Sequence, residues 1–335
     1  MDAMKRILIV NVNWLGDTLF VVPLIRALKE YYPGSSIAVL THPRCREILE
    51  VSPYIDEIIL YDEKVRNRHL LSKFAVVSQL KSKKFDTAFI LRKSLSRSML
   101  LFLSKIPERV GYDSRRAGFL LTKKVPVPKK ISHKAEYFLG LARAVGAVPE
   151  KSNYEFVVSD SAMAGAGEIL RRAGLKEGED FAVMNAGGNW DLKRWPTENF
   201  AALGDSIYDR FGIKVILTGA DKDIDLCGKI SGLMRHKPLL LCGKTDMKTL
   251  ASIFKKARWV ISNDSGPMHI AAGVGANLVA LFGPTSPDIT GPYGNISSIV
   301  LRKDIGCEIP CYNLSCGDNK CMKAVTVEDV LKAIS

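Results

Sequence analysis

Short apolar runs alternate with helical patterns along nearly all of the 335 residues. RILIVN (6–11), SIAVLTH (36–42), IDEIILY (55–61), DTAFIL (86–91) and RVGYD (109–113) read as strands. A helical pattern, TLFVVPLIRALKEYY (18–32), follows the first and is closed by Pro33 and Gly34. HKAEYFLGLARAVGA (133–147) predicts a further helix, and VPEKSNYE (148–155) then interrupts the rhythm. Strands resume at FAVMNAG (181–187), KVILTGA (214–220), LLLC (239–242), WVISND (259–264) and LVALFG (278–283), with helices between them. TVEDVLKAI (326–334) predicts a last helix with Thr326 as its N-cap and Asp329 three residues on. Parallel strands need crossover connections, so this alternation predicts parallel sheets covered by helices on both faces. The expected fold is α/β, with two doubly wound domains: 1–150, 156–325 and a C-terminal helix at 326–335. At 37.0 kDa the chain is also too long for one small core. Ligands in such sheets bind beyond the carboxyl ends of the strands, so two facing domains would place polar strand ends along a cleft.

Composition narrows the class. A hydrophobic content of 47% with 25% charged residues is ordinary for a globular protein. No apolar run approaches the ~20 residues that span a bilayer. The N-terminal MDAMKRILIVNVNW lacks a small-residue cleavage site and reads as a first strand, so a cytoplasmic protein is expected. The net charge of +13 attracts anionic partners, and KSKK (81–84), SRRAG (114–118) and KKVPVPKK (123–130) concentrate basic charge in the first half. Few aromatics interleave with these runs, and neither helix-turn-helix nor zinc-finger spacing is present, which argues against nucleic acid.

Three strand ends in the second half carry small or polar residues: NAGGNWDLKRWP (185–196), TGADKD (218–223) and NDSGPMH (263–269). A helix beginning near Pro267, preceded by Ser265 and Gly266, offers free amide groups and a favourable dipole to an anion. Lys193 and Arg194 stand at a parallel strand end and can neutralise the same charge, for which a diphosphate is the natural guest. A plain Asp/Ser cap also accounts for NDSG by itself. GVGANL (273–278) follows a helix instead of a strand, GAG (165–167) lies in a helical run, and no P-loop exists. Dinucleotide-dehydrogenase and P-loop readings are therefore weak. DKDID (221–225) fits a metal-binding spacing or, better, an acidic helix start, and Asp223 also fits a ribose contact. Asp17, in NVNWLGDTLF (11–20), is either a helix-terminus charge or a carboxylate acting as general base opposite the phosphate site.

WLGDTLFVVPLIRALKEYYP, RVGYD, NAGGNWDLKRWPTENFAAL, VILTGADKD and NDSGPMHIAAGVGANLVALFGPTSP together resemble the ADP-heptose:lipopolysaccharide heptosyltransferases, glycosyltransferase family nine, nearly end to end. The resemblance implies the glycosyltransferase B fold of two Rossmann-like domains facing across a cleft. It also implies transfer of L-glycero-D-manno-heptose from ADP-heptose to the inner core of lipopolysaccharide, with inversion and with no metal or other cofactor. By motif, Asp17 falls on the catalytic base, Lys193 on a phosphate-contacting lysine, and Asp264, Ser265, Gly266 and His269 on the donor loop. Gly188 and Asn189 lie where relatives often carry hydroxyl residues, which turns a phosphate contact there into a backbone one. Asp223 stands where glutamate is common, and His269 fits a packing role as well as a donor contact. The implied partners are an ADP-sugar and an anionic lipopolysaccharide core acceptor at the membrane surface, and no nucleic acid. A peripheral place at the cytoplasmic face of the inner membrane fits them.

Seven cysteines complete the inventory. Cys227 and Cys242 fall in apolar contexts and read as core fillers. Cys307, Cys311, Cys316 and Cys321 are spaced x3, x4 and x4, wider than the usual paired zinc ligands. A packed loop with reduced thiols is expected, as the resemblance to the second-heptose enzymes also suggests. Two other readings remain open at this level: transfer of another nucleotide sugar within the family, and a non-catalytic scaffold with a zinc-binding tail.

Overall fold

The computed structural model describes residues 5–62, 70–130, 132–313 and 315–335. It divides into two compact units, Met1–Tyr154 and Glu155–Ser335. In the first unit six parallel strands, β1 (Arg6–Val10), β2 (Ser36–Thr41), β3 (Glu57–Leu60), β4 (Thr87–Ile90), β5 (Glu108–Tyr112) and β6 (Lys123–Val125), lie in the order β3-β2-β1-β4-β5-β6. β1 is central, pairing Ile7 with Ile37 of β2 and with Thr87 of β4. Its Ile7, Leu8 and Ile9 are fully enclosed, as expected for a strand with helices on both faces of its sheet.

The second unit repeats the plan. β7 (Phe181–Asn185), β8 (Lys214–Thr218), β9 (Leu239–Leu240), β10 (Trp259–Asn263), β11 (Leu278–Leu281) and β12 (Ser298–Leu301) are parallel, in the order β12-β11-β10-β7-β8-β9. Counted within its own unit, each sheet runs third, second, first, fourth, fifth, sixth. Strand order reverses between the first and fourth strands, and the connections there leave toward opposite faces, opening a crevice at the carboxyl ends. The crevices therefore lie at β1/β4 and at β7/β10.

Three local features differ from the sequence reading. The single helix expected over 18–32 is two, Leu15–Leu19 and Val22–Tyr31. Pro23 has no amide hydrogen to give to Leu19, so it ends the ladder behind it and fits the opening turn of the next helix. β6 and β12 were not anticipated. Both are edge strands: Lys123 and Lys124 of β6 point outward and only Val125 is buried, so the segment reads as a basic run. Cys227 and Cys242 are buried as expected, but they are joined to each other as a disulfide.

The last helix, Val327–Ile334, carries the expected capping box, with Thr326 Oγ1 accepting from the Asp329 amide at 3.2 Å and Asp329 Oδ2 accepting from the Thr326 amide at 2.9 Å. Its Val330, Leu331 and Ile334 join the core of the second unit, each contributing about 1.5–3 kcal/mol relative to exposure. Trp195 Nε1 donates to the Val325 carbonyl at 2.7 Å and anchors the segment before that helix to the loop after β7.

Candidate functional site

In the second unit the crevice is framed by the loops after β7 and β10, which Asn263 joins. Its side chain is fully buried at the end of β10, where Oδ1 accepts from the Trp195 amide at 3.1 Å and Nδ2 donates to the Ala186 carbonyl at 2.8 Å. Asn185 Nδ2 similarly donates to Thr218 Oγ1 at 3.1 Å, tying the end of β7 to that of β8. Buried polar groups satisfied in this way hold the loop backbones in fixed positions.

On this frame stand the charged residues. Lys193 Nζ donates to Asp264 Oδ2 at 2.6 Å, and Thr285 Oγ1, from the loop after β11, donates to the same oxygen at 2.6 Å. The Asp264 side chain is only 5% exposed, whereas Lys193 is 24% exposed and keeps access to solvent. Arg194 donates from Nη2 to the Gly188 carbonyl at 2.6 Å, pairs through Nη1 with Asp191 at 2.8 Å, and lies 3.8 Å from Asp223 Oδ1. Asp223 is 4% exposed. Its Oδ2 accepts from the Ala220 amide at 3.1 Å, while its Oδ1 has no hydrogen-bond donor. The site requires Gly187: a Cβ there would stand 2.4 Å from Asp223 Oδ2.

The helix Gly266–Gly273 begins directly after β10, with Ser265 as an extended N-cap that makes no side-chain cap and Pro267 in the first turn. Residues 265–267 are half-exposed, so the amides of Ser265 and Gly266 open toward solvent, while Pro267 has no amide hydrogen to leave unpaired. Of the expected donor residues, the structure thus groups Gly188, Lys193, Asp223, Asp264, Ser265 and Gly266 at one crevice. Asn189 is exposed and hydrogen-bonded to Lys222. His269 is 4% exposed, one turn into the helix, and its imidazole is enclosed by protein.

Asp17 belongs to the first unit, in the helix Leu15–Leu19 that follows the end of β1 at that unit's own crevice. Its Oδ1 accepts from Lys134 Nζ at 2.8 Å, and its side chain is 20% exposed. Lys134 is the first residue of the helix Lys134–Arg143, whose N-cap His133 accepts from the Ala135 amide through Nδ1. The loop after β1 is clamped by buried Arg97, which donates to the Asn11 carbonyl and to Asn13 Oδ1. Exposed Trp14 carries the Arg44 guanidinium 4.9 Å over its ring.

Asn263, Thr285, Lys134 and Arg97 were not singled out from the sequence. Asn263 left a trace, being a polar residue at the buried end of an apolar strand, and Arg97 is a lone charge among apolar helical positions. Lys134 left none: it meets Asp17 across 117 residues and is one of 48 basic residues.

The cysteine-rich tail packs against the loop after β11, where the Cys311 amide donates to the Pro284 carbonyl at 2.7 Å and Met322 fills the space that a side chain at Gly283 would need. Cys307, Cys311, Cys316 and Cys321 are free thiols. Among the described residues no three His, Cys, Asp or Glu side chains converge as a metal site would need.

Comparison with known proteins gives the family of the chain and the fold it shares. The family model for glycosyltransferase family 9 (heptosyltransferase) matches residues 73–318. Lipopolysaccharide heptosyltransferase 2 of Salmonella typhimurium is 25% identical over 316 residues, covering 88% of this chain and 87% of its own. Lipooligosaccharide heptosyltransferase 2 of Haemophilus ducreyi is 27% identical, with 90% of each chain covered. Among solved structures, a family 9 glycosyl transferase from Veillonella parvula superposes with a TM-score of 0.90 at 27% identity, covering 99% of this chain and 97% of the other. The ADP-heptose heptosyltransferase II of E. coli superposes at 0.81 with 25% identity and the same coverage.

Proposed function

Because the chain belongs to glycosyltransferase family 9, the heptosyltransferases, we propose that it moves L-glycero-D-manno-heptose from ADP-heptose to the inner core of lipopolysaccharide, with inversion at the anomeric carbon. The names of its relatives support a heptosyltransferase of lipopolysaccharide core biosynthesis, and the donor named for the E. coli structure supports ADP-heptose. The observation that carries the donor side is the grouping at β7/β10. An open helix N-terminus stands beside a lysine and a nearly buried carboxylate, Asp223, with one oxygen unfilled. The diphosphate lies on the amides of Ser265 and Gly266, with Lys193 offsetting the charge that grows on the leaving ADP. A ribose hydroxyl donates to Asp223 Oδ1, the acceptor that otherwise stays unsatisfied at a cost of about 1–3 kcal/mol. Asp17 takes the proton of the attacking acceptor hydroxyl.

With cationic side chains and backbone amides answering the donor's charge, the reaction needs no metal. The acceptor is an anionic lipopolysaccharide core presented at a membrane surface, toward which the +13 chain is drawn. No helix among the described residues is long and apolar enough to cross a membrane. The test combines calorimetry and product analysis. ADP-heptose should bind at least about tenfold more tightly than UDP- or GDP-sugars, and heptose should appear on the core acceptor in the presence of EDTA. Preference for another nucleotide sugar would redirect the reading within the family, and loss of turnover with EDTA, restored by a divalent ion, would overturn the metal-free step.

A further inference from the structure

The helix Leu95–Leu103 is apolar on the side where a surface helix is normally polar. Its inner face buries Leu100 and Leu101 together with Arg97, which holds the loop after β1. Its exposed positions are Leu95, Ser96, Met99, Phe102 and Leu103. At 100° per residue these five fall within an arc of about 120°, and four of the five are apolar. The exposures of the four are 45%, 37%, 50% and 49%.

The stripe continues beyond the helix. Arg109 joins it to the turn Gly118–Leu120, with its guanidinium 5.6 Å from the Phe102 ring and its Nε donating to the Leu120 carbonyl at 2.7 Å. In that turn Phe119 is 69% exposed. A contiguous exposed apolar patch on a chain of ordinary composition marks a contact surface. Its rim is basic: exposed Arg92 and Lys93 precede the helix, Lys105 follows it, and Arg115, Arg116 and Lys124 flank Phe119, against exposed Asp113.

We propose that this face docks the protein on an anionic lipid bilayer, with Met99, Phe102, Leu103 and Phe119 entering the headgroup boundary and the basic rim meeting lipid phosphates. Amphipathic surfaces bind membranes by this combination of buried apolar area and attraction to anionic headgroups. A second copy of the chain fits less well, because self-association through this face would bring the same basic rims together on a protein of net charge +13. The inference rests on the reading that the acceptor is presented at a membrane.

The test is co-sedimentation of the full chain with vesicles of phosphatidylethanolamine containing 30% phosphatidylglycerol, against vesicles of phosphatidylcholine alone. The native protein should prefer the anionic vesicles and lose that preference in high salt. Phe102→Ser with Leu103→Ser should weaken partitioning at least about tenfold, with unchanged melting temperature and unchanged turnover on a detergent-dispersed acceptor. Lys105→Glu with Arg116→Glu should weaken binding to the anionic vesicles alone. Native-like vesicle binding by the double serine variant overturns the proposal. So does a native dimer that the variant abolishes, which would assign the face to a second copy. Turnover on dispersed acceptor by a native protein that ignores vesicles refutes docking while leaving the heptosyltransferase reading intact. Failure to turn over any acceptor would instead count against that reading.

Discussion

Lys193 and Thr285 converge on one oxygen of Asp264, so a single carboxylate positions the lysine that the proposed reaction uses. Removing the lysine has two separable consequences. Chemically, Lys193→Ala removes a cation that meets the diphosphate in the ground state and more strongly as the sugar–phosphate bond breaks, so kcat and ADP-heptose affinity should fall together, with kcat/KM down about 10²-fold. Structurally, it leaves the nearly buried Asp264 without its cation, with Thr285 still donating to Oδ2, which should lower stability by about 1–3 kcal/mol. Adding Asp264→Asn should recover the melting temperature without recovering turnover. If stability and turnover returned together, Lys193 would be a structural partner and no more. At this scale the sequence disclosed Lys193 and Asp264 because both stand in polar stretches after apolar strands. It concealed Thr285 and Lys134 because their meaning lies in partners 21 and 117 residues away.

Among elements, strand ends were more legible than strand edges. Central strands are buried on both faces and so must be apolar throughout, and the rhythm of such runs is a direct trace of parallel sheets. An edge strand such as β6 meets no such demand, and a single buried valine among lysines carries no period to read. The register of the loop after β7 against that after β8 was also invisible, although Gly187 depends on it. Gly187→Ala would drive a methyl into Asp223, since the added carbon would stand 2.4 Å from Oδ2 and 2.7 Å from Cγ. The carboxylate must shift, so ADP should bind about tenfold more weakly by calorimetry while the melting temperature changes little. Unaltered ADP affinity would take Asp223 out of the nucleoside site. At the C-terminal helix, the Lys303 ammonium and the Thr326 amide hold Asp329 down to about 2. A depressed carboxyl contributes stability above its unfolded value, near 3.9, and loses that contribution as pH falls from about 4 to about 2. Asp329→Asn, which stands in for the protonated acid, should therefore melt about 1–3 °C lower at pH 7. Lys303 is 46% and Asp329 22% exposed, so solvent reaches the pair and screening keeps the effect under about 1 kcal/mol. The difference should vanish near pH 2, and a difference that persisted there would assign it to packing instead of charge.

For the molecule as a whole, the candidate donor contacts all belong to the unit Glu155–Ser335 and the proposed base to Met1–Tyr154, so binding and turnover should separate cleanly in a single variant. Inversion requires the acceptor hydroxyl to attack the anomeric carbon from the face opposite ADP. A free hydroxyl is too weak an acid to ionise beforehand, so its proton must leave as the new bond forms, and a positioned base contributes about 10²–10⁴-fold. Asp17 stands at the carboxyl end of the first strand of its unit, with Lys134 fixing one of its oxygens at 2.8 Å. Asp17→Asn preserves the side chain's size and an oxygen for Lys134 to reach, yet removes the proton acceptor. Turnover measured by ADP release should drop by that factor, while ADP-heptose affinity by calorimetry and the melting temperature stay near native. Lys134→Ala keeps the base but frees its orientation, so a smaller loss of about tenfold is expected, again with donor affinity unchanged. Full activity in Asp17→Asn, or a loss that merely follows unfolding, would reduce Asp17 to a charge stabilising its helix N-terminus. An equal fall in donor affinity would mean instead that the carboxylate acts on the bound donor and not on the acceptor's proton.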